Sequence, residues 1–148
     1  MDPGFNIAEF RAKHLKDSND YRRRHGAQPL VLDEELNKCA QEWAETLAKA
    51  NEMNCKAGAN PYGENIGAGH TPCANVVKMW YDEESKYNYE ASKYNPDCGH
   101  FTQLVWRNSR RLGVGIAKSA TGIYYIVANY DPPGNFVGQF LLNVGTKR

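Results

Sequence analysis

Apolar residues recur at three- and four-residue steps in three stretches of the N-terminal part of the chain, which is the spacing of amphipathic helices. The first stretch predicts a helix over residues 7–25. The second predicts a helix that begins after an Asp33 N-cap and runs to about residue 52. The third predicts a helix over residues 72–87, because Pro72 suits the first helical position.

Two runs rich in β-branched and aromatic residues, 112–117 and 123–130, predict a pair of strands joined by a short turn. Residues 99–109 alternate between two faces that both carry bulky apolar side chains, which predicts a strand covered on both sides with His100 at its rim. Residues 54–69 are rich in glycine, asparagine, alanine and proline and predict a loop. Since the helices precede the strands, the predicted fold class is α+β with an antiparallel sheet.

Length and charge limit the range of functions. The 148 residues suit one domain, which we place at 7–148, after a disordered N-terminus or cloning remnant at 1–6. A net charge of +1 argues against a nucleic-acid-binding protein, because such proteins need a basic excess to neutralise phosphates. The sequence contains no run of 18 apolar residues to span a bilayer, its start does not resemble a signal sequence, and position 2 lacks the glycine that myristoylation requires.

The cysteine content favours a reducing compartment. The chain has four cysteines, Cys39, Cys55, Cys73 and Cys98. They would allow two disulfides, which could be paired in three ways. They are too few for a small fold that depends on disulfides. In addition, the sequence has no Asn-x-Ser/Thr glycosylation site.

Candidate chemistry centres on two glutamates and one histidine. Glu83 shares an apolar face of the third predicted helix with Trp80, where an unpaired carboxylate would be costly. We therefore expect His100 to lie within reach of Glu83 or Glu64, directly or through one water. Glu64 lies in the glycine-containing stretch 62–67, where a carboxylate could approach a backbone or a metal, although an ordinary turn glutamate fits as well.

Basic residues cluster in the last turn of the first predicted helix. Arg22, Arg23 and Arg24 suit the negative end of the helix dipole, so a solvated helix end accounts for them. The alternative is contact with an anionic surface, to which Arg110 and Arg111 would add further phosphate contacts.

Several stretches resemble sequence motifs of one protein family. Residues 99–109 match the first signature of the CAP superfamily, which comprises cysteine-rich secretory proteins, antigen 5 and pathogenesis-related 1 proteins. Residues 129–136 match the second signature, and residues 62–65 and 79–83 resemble two further motifs. The resemblance covers nearly the whole chain. It implies an α-β-α sandwich, in which a central antiparallel sheet lies between helical layers beside a large cleft.

In the family, that cleft gathers two histidines and two glutamates. The resemblance carries three of these positions over to His100, Glu64 and Glu83. Asn54 or Cys55 stands where the other histidine would be. A Cys55 thiolate could replace it as a zinc ligand, or Cys55 could be buried or disulfide-linked. We expect no required cofactor and only weak binding of a divalent metal such as zinc, since the second imidazole is missing.

The resemblance leaves more than one function open. The first is a lipid-binding domain that takes a sterol, a fatty acid or an anionic phospholipid without catalysis. The second is a metal-dependent hydrolase with Glu64 or Glu83 as base and His100 as ligand or acid. The third is a recognition module that binds a partner protein or forms a homodimer, as a secreted pathogenesis-related or venom-allergen-like immune modulator would.

The cysteine pattern is most similar to that of the Golgi-associated branch of the family, because secreted plant-type relatives have cysteine where this chain has Val114 or Ala128. This resemblance implies an intracellular protein attached peripherally to a membrane. The alternative is a secreted protein whose signal peptide is absent from the sequence.

Overall fold

The computed structural model describes residues 4–54, 60–72 and 75–147. Its helices and strands are, in chain order, α1 (Ile7–Arg24), β1 (Val31–Leu32), α2 (Glu34–Ala50), β2 (Gly63–Gly69), α3 (Val76–Tyr81), α4 (Gly99–Leu104), β3 (Arg111–Lys118), β4 (Tyr124–Asp131) and α5 (Phe140–Asn143). The predicted first and second helices and the two C-terminal strands are confirmed. Within the described ranges, no helix combines the length and the apolar character needed to cross a bilayer.

The four strands form one sheet in the order β1-β3-β4-β2. β3 and β4 are antiparallel, with Arg111 opposite Asp131 and Lys118 opposite Tyr124. β2 pairs antiparallel with the other side of β4. The two-residue β1 is parallel to β3, so the sheet is antiparallel except at this edge.

The sheet separates two helical layers. Along β4, Ile126, Ala128 and Tyr130 pack with the buried side chains of α3 and α4. The intervening Tyr125 and Val127 pack with α2 on the opposite face. This division follows from the two-residue period of side chains along a strand. α1 lies on the same side as α3, so the predicted α-β-α sandwich is confirmed.

α2 lies against the backbone of β3. A Cβ added at Gly113 would overlap the backbone of Leu36, and one at Gly115 would overlap the backbone of Gln41. Glycine is required at these positions because the helix occupies the space that a side chain would fill. The side-chain amide of Gln41 binds α2 to β3. It donates to the carbonyl of Ile116 at 2.9 Å and accepts from the Ile116 N–H at 3.0 Å.

The prediction of a strand over residues 99–109 is wrong. The first six of these residues form α4, and the chain then turns into β3. Just before α4, Pro96 begins a short 3-10 turn, and Asn95 accepts the N–H of Asp97 at 2.9 Å. A helical start is therefore built into the sequence before Gly99. An alternating pattern with apolar residues on both faces does not distinguish a strand from a short helix that is buried all round.

The prediction of a loop over residues 54–69 is also wrong in part, because the stretch contains β2. This strand pairs with β4 from Gly63, opposite Tyr130, to Gly69, opposite Tyr124. Glycine at position 67 allows close packing against α3 and does not form a turn. A Cβ added at Gly67 would lie 2.5 Å from a methyl carbon of Val76.

The third predicted helix begins later and ends earlier than expected. α3 begins at Val76, after Asn75, and continues as a 3-10 turn over Asp82–Lys86, so Pro72 lies outside it. Residues 73 and 74 of the predicted helix lie outside the described residues. Glu83 therefore projects from the 3-10 turn, where its carboxylate meets the start of α4.

The core on the α3 and α4 side of the sheet is aromatic. Trp106 is fully buried and meets Phe140 edge-on, with ring centroids 5.0 Å apart. Trp80 is also buried and lies between His14 and His100, at centroid distances of 5.6 and 5.9 Å. Both tryptophans are therefore part of the core.

We expect Gly115→Ala to lower the free energy of unfolding by about 1–3 kcal/mol, because its Cβ would meet helix backbone that cannot rotate away. Urea unfolding at neutral pH measures the change. Gly69→Ala is the matched control, since no atom lies within 4 Å of its added Cβ. The control should shift stability by no more than about 1 kcal/mol in either direction. Equal stability of both variants would contradict the close approach of α2 to β3.

Candidate functional site

Glu83 lies at the N-terminus of α4 and binds three N–H groups. Its Oε1 accepts from the backbone N–H groups of His100 at 3.0 Å and Phe101 at 3.1 Å, and its Oε2 lies 2.8 Å from Nδ1 of His100. The first N–H groups of a helix have no partner within the helix, so a carboxylate at this position satisfies them and complements the helix dipole. The predicted contact between Glu83 and His100 is confirmed.

His100 is held at its ring face as well as at its edge. The ring stacks on Trp80, with the two planes 11° apart. The His100 side chain is 37% exposed, against 21% for Glu83. In the neutral ring, donation from Nδ1 to Glu83 leaves Nε2 as a hydrogen-bond acceptor or a cation ligand. The site thus offers a partly exposed imidazole in a fixed orientation.

Two asparagines position the first turn of α4, and the sequence analysis missed them. Asn65 on β2 donates from Nδ2 to the carbonyl of His100 at 3.0 Å. Asn135 donates from Nδ2 to the carbonyl of Gly99 at 3.0 Å and has a left-handed backbone, with φ of 62°. Both residues lie inside motifs that resemble the CAP superfamily, so attention to polar side chains in those motifs would have found them.

A buried glutamine joins the two stretches that match CAP signatures. Gln103 accepts from the N–H of Gly134 at 2.8 Å and donates to the Ser109 hydroxyl at 3.0 Å. That hydroxyl donates in turn to the carbonyl of Pro132 at 2.8 Å. Because buried polar groups need partners, this network fixes α4 relative to the segment that follows β4.

The remaining predicted cleft residues have different surroundings. Glu64 lies on β2 opposite Asn129, is partly buried and takes part in interactions of its own. Asn54 is exposed beyond the end of α2, where its carbonyl accepts from the indole N–H of Trp43 at 3.2 Å. Cys55, the other candidate for the missing histidine position, lies outside the described residues.

The described residues do not fit a zinc centre. Apart from 1–3, 55–59, 73–74 and 148, the chain has no group of three or more His, Cys, Asp or Glu side chains that could hold a metal ion. The contact of His100 with Glu83 offers one nitrogen and a carboxylate that already binds N–H donors. Zinc binding through the predicted set of His100, Glu64, Glu83 and Cys55 stays a prediction.

Arg22 is a structural residue, and its predicted role at an anionic surface is wrong. It is fully buried, and its guanidinium donates to the carbonyl oxygens of Leu104 at 3.0 Å, Trp106 at 2.8 Å and Ser109 at 2.9 Å. Its Nε donates to the carbonyl of Gln28 at 2.8 Å. Burial lowers the pKa of Arg22 to about 10, so the group keeps its charge at neutral pH. The position of Arg22 in the sequence does not reveal this role, because charged residues are rarely buried completely.

The other four predicted surface arginines are exposed. Arg111 binds the carboxylates of Asp33, at 3.0 Å, and Asp131, so two negative charges offset its own. Arg23 pairs with one carboxylate, that of Asp20, at 3.0 Å. Arg24 and Arg110 therefore remain the stronger candidates for an anionic surface, with Arg23 beside them.

A separate pocket lies between α1 and α3. It has a volume of about 70 Å³ and is lined by Phe10, Lys13, His14, Asp17, Pro72, Val76 and Val77. Lys13 and Asp17 form an ion pair of 2.7 Å, and the other lining residues are apolar or aromatic. A wider depression of about 370 Å³ shares Phe10, Lys13 and Pro72 with this pocket, so the two adjoin.

His14 contributes a neutral ring to the wall of this pocket. The side chain is buried, and neither ring nitrogen has a hydrogen-bond partner in the described part of the chain. Burial lowers the pKa of His14 to about 3, because a charged imidazole would lose its hydration.

We expect His14 to make stability depend on pH. The unfolded chain protonates this histidine below about pH 6.5, whereas the folded protein keeps it neutral down to a pKa of about 3. Stability should therefore fall as pH decreases from 8, by about 2 kcal/mol at pH 5. Urea unfolding at both pH values measures this loss.

The variant His14→Phe should remove most of that pH-dependent loss, since it keeps an aromatic ring and cannot be protonated. The exposed His70 provides the matched control, and His70→Gln should retain the wild-type dependence. The buried His25, whose pKa is also lowered by burial, is unchanged in both variants and cancels from the comparison. An unaltered pH profile in His14→Phe would contradict the assignment.

We expect the purified protein to be free of zinc and to bind added zinc no more tightly than the micromolar range, because only one imidazole is available at the site. Isothermal titration calorimetry measures the affinity, and His100→Ala should abolish it. If Cys55 contributes a thiolate, binding strengthens as pH rises and is lost in Cys55→Ala. Nanomolar binding that survives Cys55→Ala but not His100→Ala would contradict the argument from the missing histidine.

Comparisons with known proteins identify the family. The family model described as CAP, cysteine-rich secretory protein family, matches residues 15–130. The chain is 40% identical over 129 residues to the basic form of pathogenesis-related protein 1 of Nicotiana tabacum, and the match covers 85% of this chain and 72% of that protein. It is 35% identical over 135 residues to Golgi-associated plant pathogenesis-related protein 1 of Homo sapiens, with 88% of each chain covered.

A solved structure agrees on the fold. The crystal structure of NaASP2 with Zn²⁺ superposes with a TM-score of 0.73 at 21% identity, over 99% of this chain and 90% of that chain. At this level of identity, the likeness concerns the fold alone. Together with the matched family model and the more similar relatives, it shows that the chain belongs to the CAP family, the cysteine-rich secretory protein family.

Proposed function

We propose that this chain is a lipid-binding CAP domain that takes an acyl chain in the pocket between α1 and α3. The CAP family has roles in defence and lipid binding. The observation that carries the proposal is the lining of the pocket, which is apolar or aromatic except for one ion pair. Ligand pockets of this kind are mostly apolar with a few polar groups that set orientation.

The size of the pocket favours an acyl chain over a sterol. A cavity of about 150 Å³ is known to hold one benzene molecule. The pocket here, at about 70 Å³, is too small for a fused ring system but accepts a few methylene groups. The adjoining depression of about 370 Å³ gives the remainder of an extended chain a path along α1.

Lys13 is suited to meet the acidic end of such a lipid. It lines both the pocket and the adjoining depression, and its ammonium group pairs with Asp17. An ammonium group has three donors, so Lys13 can bind a carboxylate or phosphate while it keeps this ion pair. The neutral ring of His14 adds no charge that would oppose an apolar ligand.

The arrangement around His100 supports binding without catalysis better than it supports hydrolysis. Glu83 was one of the two candidate bases for a hydrolase, but its oxygens accept three N–H groups from α4. A carboxylate engaged in this way is suited to hold His100 in place and not to remove a proton from a substrate. We include a peripheral membrane location in the proposal, since relatives of this chain include a Golgi-associated protein.

Binding of fluorescent palmitate to the purified protein, in the absence of vesicles, tests the proposal. We expect saturable binding, because methylene groups are removed from water at about 0.8 kcal/mol each. Phe10→Asp should weaken this binding by at least about tenfold, since it places a charge where the pocket and the depression adjoin. Fluorescent cholesterol serves as the parallel ligand and should bind less tightly than palmitate.

Met79→Asp is the matched control, because Met79 is an exposed residue of α3 that does not line the pocket. It should leave palmitate binding unchanged. Thermal unfolding establishes that both variants are folded. Absence of palmitate binding to folded wild-type protein, or equal binding by Phe10→Asp, would contradict the proposal.

A further inference from the structure

Exposed apolar side chains are concentrated near the C-terminus. Of the eight large hydrophobic side chains that are exposed in the described part of the chain, four lie within residues 136–142. We call Phe136, Val137, Leu141 and Leu142 the C-terminal apolar patch. Val137, Leu141 and Leu142 are 88%, 74% and 73% exposed. Single exposed apolar residues are ordinary on a protein surface, whereas a cluster of them indicates an interaction site.

The backbone beneath the patch is fixed to the core. Phe140 and Val144 are buried, and Phe140 meets the ring of Trp106 edge-on. A turn that closes from the N–H of Gln139 to the carbonyl of Phe136, at 3.1 Å, presents Val137 at its tip. The exposed side chains are therefore carried on an anchored segment of the chain.

Further hydrogen bonds attach α5 to the turn after α4. The N–H of Arg107 donates to the carbonyl of Asn143 at 3.0 Å, and the N–H of Asn108 donates to its side-chain oxygen at 3.0 Å. Leu141 and Leu142 lie between these attachments and the buried Phe140. Their exposure thus belongs to the folded state, because both flanks of the pair are bound to the body of the protein.

The segment that carries the patch has basic residues and no acidic ones. Residues 132–147 contain no aspartate or glutamate. Arg107 places its guanidinium beside α5, with Nη1 3.5 Å from the carbonyl of Leu142, and Lys147 is exposed shortly after the helix. Apolar side chains bordered by cations, without anions in the same segment, are complementary to an anionic lipid surface.

We propose that the C-terminal apolar patch inserts into the interface of an anionic lipid bilayer, where Arg107 and Lys147 meet the headgroup phosphates. None of these residues lines the pocket between α1 and α3. The membrane contact is therefore separate from acyl-chain binding and does not depend on it.

Flotation with phosphatidylcholine vesicles, with and without phosphatidylserine at about a third of the lipid, tests this proposal. Wild-type protein should float with the anionic vesicles and not with the neutral ones. The double variant Leu141→Ser/Leu142→Ser should reduce the bound fraction by about tenfold or more, since two exposed leucines no longer enter the lipid. Raising the salt concentration should weaken binding of the wild type.

The double variant Val31→Ser/Met79→Ser is the matched control, because it removes two exposed apolar side chains outside the patch. It should float like the wild type. Phe136→Trp provides a direct measure of insertion: its added fluorescence, obtained by subtracting the wild-type spectrum, should shift to shorter wavelength only with anionic vesicles. Melting temperatures establish that all variants are folded.

Three outcomes would overturn the proposal. The first is equal flotation of the wild type and the Leu141→Ser/Leu142→Ser variant, and the second is equal flotation on neutral and anionic vesicles. The third is a dimer in sedimentation velocity that the double variant dissociates, which would assign the patch to a second copy of the chain. Palmitate binding measured without vesicles should be unchanged in the double variant, so a failure of the acyl-chain proposal is distinguished from a failure of this one.

Discussion

α4 carries the candidate site, and its two ends are held by charges of opposite sign. At its C-terminal end, the buried guanidinium of Arg22 binds the carbonyls of Leu104, Trp106 and Ser109. At its N-terminal end, the carboxylate of Glu83 binds the N–H groups of His100 and Phe101. Each charge has the sign that a helix dipole favours at that end. Because α4 is only six residues long, fixing its ends fixes everything between them, including the orientation of His100.

The side chains that contact or belong to α4 connect it to the neighbouring elements. Trp80 stacks on the ring of His100, while the Asn65 amide binds the carbonyl of the same residue. Gln103 carries the connection onward to the segment after β4. A buried network of this kind keeps one arrangement, because any displacement leaves a polar group without a partner in a region that water does not reach. The resemblance to CAP motifs over residues 99–109 and 129–136 thus corresponds to two stretches that bind each other.

The features that could be predicted from the sequence depend on local or periodic patterns. α1, α2 and the hairpin of β3 and β4 follow the spacing of apolar residues, and the contact of Glu83 with His100 follows from the cost of an unpaired carboxylate. The features that could not be predicted depend on tertiary contacts. The pattern of α4 does not distinguish it from a strand, because a short helix that is buried all round has no polar face to mark its period. The burial of Arg22 is not predictable from local pattern, because three of its carbonyl partners lie 82 to 87 positions further along the chain.

The two faces of the sheet differ in how the helices contact them. On one face, α2 lies against Gly113 and Gly115 of β3, so helix backbone occupies the space that two strand side chains would otherwise fill. On the other face, aromatic and branched side chains of α1, α3 and α4 form the layer, so these helices meet the sheet through side chains. The two layers therefore constrain the sequence differently. The α2 side fixes the residue type at two positions of β3, whereas the opposite layer admits exchanges between apolar side chains that conserve volume.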